Sequence, residues 1–248
     1  MLLSDVIVVL SRPAEAGNVG ASCRAMKNSG LSRLHLVQPE FDGEESVIRA
    51  RAIHAADLWE KAESFDSLAA AVKDCALVIG TTRRRGRNRK QVTMTTAEIA
   101  AFLAGHPGPA ALVFGNERTG LEDEEIALCN MASHIPVDET FPSLNLSHAV
   151  QIYTYELFQA LANPEKNAVK GQWVPLNQQS IETLVGEITA NFERLGFYKQ
   201  SGRDEQERFF RDIFSRACIT EREGGYFSSL INRAVRLAAK AQAVTHIG

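Results

Sequence analysis

Five short apolar runs, each followed by a helical pattern, constrain this chain more than any other feature. They are Val6 to Leu10, Arg33 to Val37, Ala76 to Gly80, Ala110 to Phe114 and Ala132 to Pro136. Most are rich in Val, Ile or Leu, as strands are when both faces are buried. Burial on both faces demands helices above and below, which implies a parallel sheet. Helical patterns fill the gaps: Asn18 to Ser29, Asp66 to Lys73, Thr95 to Leu103, Glu122 to Cys129 and Ser147 to Leu161. The fourth opens with four consecutive carboxylates, Glu122 to Glu125, suited to the positive end of a helix dipole. Residues 1–162 therefore read as one α/β domain.

The composition changes at Asn163. Residues 163–175 hold two prolines, a glycine and two lysines and read as a linker. Beyond it, 176–248 reads as a helical extension, with helices over about Asn177 to Leu195, Asp204 to Arg216 and Thr220 to Ala243. Phe209, Phe210, Ile213, Phe214 and Ala217 recur at a spacing that builds one packed helical face.

The formal net charge is −3, so any nucleic-acid affinity must come from a local patch. Cys23, Cys75, Cys129 and Cys218 are scattered, without a CxxC pair, and read as buried reduced thiols of a cytosolic protein. No histidine spacing suggests a metal. The start, MLLSDVIVVL, lacks a basic leader, and no run approaches the ~18 apolar residues of a membrane helix. The expectation is a cytoplasmic protein without membrane or metal.

Three loops and one charge run carry the chemistry. Gly17-Asn18-Val19-Gly20 leads from the first strand into the first helix, where glycines permit tight turns and free N–H groups attract anions. Arg24 follows six residues after Asn18; from the residues alone it is either a site cation or half of a surface ion pair. The loop lacks GxGxxG and no acidic residue closes the second strand, so a dinucleotide fold is disfavoured. Phe114-Gly115-Asn116-Glu117-Arg118-Thr119-Gly120-Leu121 has Walker-like glycine spacing, but Leu121 and Glu122 stand where Lys and Ser/Thr are required. What remains is a glycine loop at a strand end carrying a carboxylate and a guanidinium, or a tight turn with an ion pair. Pro142-Ser143-Leu144-Asn145-Leu146-Ser147-His148 enters the longest helix; Ser143 or Asn145 can be a plain N-cap, and His148 reads as a packed helix residue. Arg83 to Lys90, with Arg83, Arg84, Arg85 and Arg87, is cationic at six of eight positions. It follows a strand end, so phosphate contact is its better reading over a solvated surface.

Together these segments resemble a known family. Asn18-x-Gly20-x-x-x-Arg24-Ala25, Phe114-Gly115-x-Glu117-x-x-Gly120-Leu121 and Ile135-Pro136 with Ser143-Leu144-Asn145-Leu146-Ser147 look like the three ordered motifs of the SPOUT methyltransferases, and more closely the tRNA/rRNA ribose 2′-O-methyltransferases of the TrmH type. The helical tail, with Arg208 to Cys218 and Glu221 to Glu223, resembles the extension of the TrmJ subfamily.

The resemblance implies a deep trefoil knot at the C-terminal end of the catalytic domain, around Val113 to Gly120 and Ile135 to Ala149. It implies S-adenosylmethionine as cofactor, a homodimer with the active site near its interface, and methylation of nucleotide 32 of tRNA (Cm32/Um32); ribosomal RNA and a non-catalytic RNA-binding role are the alternatives. It makes Arg24 the catalytic arginine, with Asn18, Glu117, Ser143 and Asn145 shaping the site. Thr81, Thr82, Gly115, Ile135, Pro142, Ser143 and Leu144 would line the cofactor pocket. The helical extension would contribute tRNA or dimer contacts, and no DNA partner is expected. Arginine stays protonated below about pH 12, so stabilising a developing alkoxide is the preferred role for Arg24 over transient use as a base.

Overall fold

The structure, a computed structural model, describes residues 1–82, 93–138, 140–162, 174–198 and 202–245. The chain divides into two compact units, Met1–Gly171 and Gln172–Gly248.

Among the described residues, unit 1 is built on seven strands: β1 (Val6–Ser11), β2 (Arg33–Val37), β3 (Glu63–Phe65), β4 (Leu77–Thr81), β5 (Thr93–Thr95), β6 (Ala110–Phe114) and β7 (Met131–His134). They form one sheet in the order β3-β2-β1-β6-β4-β7-β5, and every pairing is parallel. β1 and β6 are buried at every position. In β1 the alternation of side chains sends Ile7 and Val9 to one face, where they meet Val113, Leu68, Val72 and Ile126. Val6, Val8 and Leu10 face the other layer.

Helices cover this sheet: α1 (Ala16–Asn28), α2 (Glu45–Ala52), α3 (Ala56–Glu60), α4 (Leu68–Val72), α5 (Thr96–Ala104), α6 (Asp123–Leu128) and α7 (Leu146–Leu161). α4 and α6 lie with the Ile7 and Val9 face, whereas α7 packs against both α1 and α5. Several ends are fixed by side chains. Ser67 caps α4, and Thr95 and Glu98 form a capping box on α5. The acidic start of α6 likewise closes a box between Glu122 and Glu125.

Three features depart from expectation. The edge strands β3 and β5 are additional to the five expected, because three-residue polar segments such as Glu63-Ser64-Phe65 carry no hydrophobic pattern. The helices α2 and α3 are additional for the same reason, since only Ile48, Ala52 and Leu58 of them are buried. The fifth expected strand ends at His134, which leaves Ile135 and Pro136 in the loop that follows.

Unit 2 holds α8 (Gln178–Arg194), α9 (Arg203–Ala217) and α10 (Glu221–Thr245) around a core of Ile181, Leu184, Val185, Ile188 and Phe214. Pro175, expected in the linker, instead bridges to Thr220, and the Leu176 N–H donates to the Ile219 carbonyl, so both belong to this unit. Phe210, Ile213 and Phe214 pack as expected, but Phe209 is 56% exposed. Phe209 lies five residues before Phe214, about 140° around the helix, at the margin of the stripe. Among the described residues, no helix is long and apolar enough to cross a membrane. Every cysteine is buried and outside any disulfide.

Candidate functional site

The sheet order makes the site. From β1 the chain winds outward through β2 and β3, then returns to build β4 on the other side, with β6 between β1 and β4. A reversal of this kind opens a crevice at the carboxyl ends of the central strands. A cavity of about 550 Å³ lies there, lined by the ends of β4 (Thr81, Thr82), β6 (Phe114, Gly115) and β7 (His134, Ile135), by the loops after them, and by Leu121 and Tyr153. That volume suits a ligand of nucleoside or cofactor size. Thr81, Thr82, Gly115, Ile135, Pro142, Ser143 and Leu144 all line it.

The glycine loop after β6 owes its shape to two residues. A Cβ on Gly115 would lie 2.2 Å from the Gly120 carbonyl carbon, and Gly120 sits at φ +71°. The loop closes on itself through the Gly120 N–H donating to the Asn116 carbonyl at 2.8 Å. Asn116 Oδ1 accepts from the Arg118 N–H at 2.9 Å, while its amide donates to the Arg12 carbonyl at 2.7 Å.

Beneath the loop, Arg12 acts as a clamp. It stands just beyond β1 in the left-handed region, φ +51°. Its guanidinium donates to the Gly120 carbonyl at 3.2 Å and pairs with Glu122 and Glu125, each at 2.8 Å. Ser11 Oγ also donates to Glu125. Burial pushes the Glu125 carboxyl upward, yet the Arg12 and Ser11 hydrogen bonds outweigh it and hold the carboxyl below its ordinary range. Sequence reasoning misses this clamp, because the turn that aims Arg12 is a backbone conformation that no motif encodes.

The three loops meet directly. Glu117 accepts from the backbone N–H groups of Ala14 at 2.8 Å and Glu15 at 3.3 Å, at the start of α1. It also accepts from Asn18 Nδ2 at 3.0 Å. Asn18 Oδ1 in turn accepts from Asn145 Nδ2 at 2.9 Å. The anion that the α1 N-terminus attracts is thus the chain's own carboxylate. Asn145 makes two contacts: its Oδ1 caps α7 by accepting from the Ser147 N–H at 2.8 Å, while its amide donates to Asn18 Oδ1.

Gly20 has a different role from a turn glycine. It lies inside α1, and a Cβ there would stand 2.3 Å from the Ile48 carbonyl oxygen of α2. Its work is close helix packing.

Arg24 is not brought to the cavity of its own chain. It lies six residues beyond Asn18 on α1, about 9 Å along the axis at 1.5 Å per residue. It is exposed, absent from the cavity lining, and without a hydrogen bond or ion pair among the described residues. His148 is exposed rather than packed. Arg83, Arg84, Arg85 and Arg87 lie outside the described residues.

Residues 5–155 match the SpoU rRNA Methylase family, more than half of the chain, and this protein belongs to that family of methyltransferases. Its relatives narrow the comparison. It is 36% identical over 229 residues, 88% of this chain and 94% of the relative, to the tRNA (cytidine-2′-O-)-methyltransferase TrmJ of Methanocaldococcus jannaschii. It is 42% identical over 163 residues, 64% of this chain and 62% of the relative, to the tRNA (cytidine/uridine/adenosine-2′-O-)-methyltransferase TrmJ of Pseudomonas aeruginosa. The crystal structure of TrmJ from Z. mobilis ZM4 superposes with a TM-score of 0.74 at 30% identity, covering 92% of this chain and 98% of that one.

Proposed function

We propose that this protein transfers a methyl group from S-adenosylmethionine to a ribose 2′-hydroxyl of tRNA, at nucleotide 32, as a cytoplasmic homodimer. The observation that carries the proposal is the hydrogen-bonded chain Glu117–Asn18–Asn145, which ties the start of α1 to two distant loops that line one cavity. A relative that matches across both units, and not only across the sheet domain, is a tRNA enzyme by name. That favours tRNA over ribosomal RNA.

The cavity lining fits an adenosyl sulfonium in its mix of apolar and charged side chains. Leu121, Ile135, Pro136 and Leu144 offer apolar walls, and Glu117 and Arg118 offer charge on the glycine-loop side. The bound cofactor supplies a methyl already activated as a sulfonium substituent. The protein's part is orientation and charge control. The Arg12 clamp and the Gly115–Gly120 closure hold the loop that floors the cavity. The guanidinium of Arg24 stabilises negative charge growing on the ribose oxygen, and the proton leaves to a phosphate of the substrate.

Since Arg24 is remote from its own cavity, it serves the cavity of a partner. α7 presents Tyr155, 53% exposed, and Phe158, 41% exposed, as apolar contacts for a second copy. The segment after β7 runs past the glycine loop before α7 packs on α1, a course consistent with the trefoil crossing around Val113 to Gly120 and Ile135 to Ala149. Arg83, Arg84, Arg85 and Arg87, which follow β4 in the sequence, contact RNA phosphates, with the helical extension adding tRNA contacts.

The test is mass spectrometry of tRNA nucleosides after incubation with labelled cofactor. Label on the ribose of nucleotide 32 is expected, and label on a base or on ribosomal RNA alone overturns the proposal. Arg24→Ala should retain cofactor binding and lose turnover by orders of magnitude. Neutralising Arg83 to Arg85 should weaken tRNA binding and flatten its salt dependence, by roughly one unit of log–log slope for each phosphate no longer neutralised.

A further inference from the structure

Most polar side chains around the cavity are already committed. Thr81 Oγ1 donates to the Val113 carbonyl at 3.0 Å, and Tyr153 donates to Ser133 Oγ at 2.9 Å. Asn116 is engaged by its own loop and by Arg12, and Glu117 is held by Ala14, Glu15 and Asn18. His134 differs. It ends β7, its Cα paired with Thr95 of β5, and it lines the cavity beside Ile135. Its Nδ1 is sealed from solvent and has no hydrogen-bond partner among the described residues. Native proteins rarely leave a buried ring nitrogen in that state, and such a group calls for an explanation, of which a bound ligand is one where the residue lines a cavity.

We propose that His134 Nδ1 is a recognition atom of the cavity, taking a hydrogen bond from or to the nucleoside part of the methyl donor. This rests on reading the cavity as the donor's pocket. The distribution of chemistry selects the nucleoside. The ionic groups, Glu117 and Arg118, belong to the glycine loop, whereas the wall after β7 presents Ile135 and Pro136. A planar heterocycle or a ribose, apolar over its faces and polar at an edge, suits that wall. An ammonium or carboxylate would meet no countercharge from those two residues. Either neutral tautomer serves: Nδ1 accepts from an amine or hydroxyl, or donates to a ring nitrogen.

The experiment uses the full chain and S-adenosylhomocysteine, which has the same nucleoside and no reactive methyl. With ¹⁵N-histidine labelling, the Nδ1 resonance of His134 is expected to move on saturation, a readout that needs no variant. Calorimetry then compares three substitutions. His134→Asn places an amide atom near the Nδ1 position and should bind within about twofold of the wild type. His134→Gln places it nearer Nε2, and His134→Leu removes it; both should lose about tenfold in affinity. Thermal melts establish that each variant folds. Wild-type binding with an unmoved Nδ1 resonance and an undiminished His134→Leu affinity overturns the role of His134 and leaves the donor pocket standing. No binding by the wild type overturns both.

Discussion

At the residue scale, the clamp under the glycine loop has a measurable energetic signature. Arg12 and Glu125 are largely shielded from solvent, with side chains 16% and 13% exposed. Removing one partner strands the other, and a hydrogen bond to a charged group contributes about 1.5–3 kcal/mol. Glu125→Gln should therefore lower stability by about 2 kcal/mol at neutral pH, read from denaturant midpoints. The pH dependence follows from the direction of the carboxyl's shift. A carboxyl held below its ordinary range in the folded state stabilises above the unfolded value, about 4.3, and that contribution fades as pH falls through the folded value. The gap between wild type and Glu125→Gln should be full at pH 7 and close progressively below about pH 4.5. A gap that does not narrow at all as the pH falls below the ordinary carboxylate range would show the clamp to be packing rather than charge. Of this residue-level detail, the sequence reveals Asn18, Glu117 and Asn145, since they stand in ordered loops beside strands. It conceals Arg12 and His134, one aimed by a left-handed backbone turn and the other placed by strand pairing.

At the scale of elements, two glycines separate the ways a loop and a helix can fail. Gly115 leaves no space for a Cβ, and what lies nearest is backbone of Gly120 and Leu121. Gly115→Ala must open the loop that closes between Asn116 and Gly120, so cofactor affinity should fall at least tenfold while the melting temperature changes little. A variant that melts early yet binds normally when folded would contradict this. Gly20→Ala fails differently. Its Cβ meets the Ile48 carbonyl oxygen at 2.3 Å, so α2 must move off α1, and overpacking of that kind costs about 1–3 kcal/mol. Stability should fall, with cofactor affinity in the folded protein retained. Both glycines stand in motif-like stretches of sequence, and nothing in the sequence tells the turn glycine from the packing glycine. The strands follow a similar logic: β1 and β6 are continuous apolar runs because both faces are buried. The edge strand β3 is too short and too polar to announce itself.

At the scale of the whole molecule, the position of Arg24 makes the strongest demand. Its guanidinium is exposed, without a partner among the described residues, about 9 Å along α1 from Asn18, and does not line its own cavity. If the reading of Arg24 holds, each active site is shared by two copies related by a two-fold axis, and two inactive variants should repair each other. Arg24→Ala keeps an intact cavity and lacks the arginine; Gly115→Val keeps the arginine and lacks the cavity. In a homodimer of either variant, both sites are broken. A mixed dimer has one site in which the intact cavity faces the intact arginine, and one in which both are lost. Random exchange of equal amounts makes half the dimers mixed, so tRNA methylation should return to about a quarter of the wild-type rate. Replacing Tyr155 and Phe158 together with aspartate on α7 should yield a monomer in sedimentation and abolish the repair. Recovery without a dimer, or a dimer whose mixture stays silent, would place Arg24 outside the chemistry and return the role of cation to Arg118 on the glycine loop.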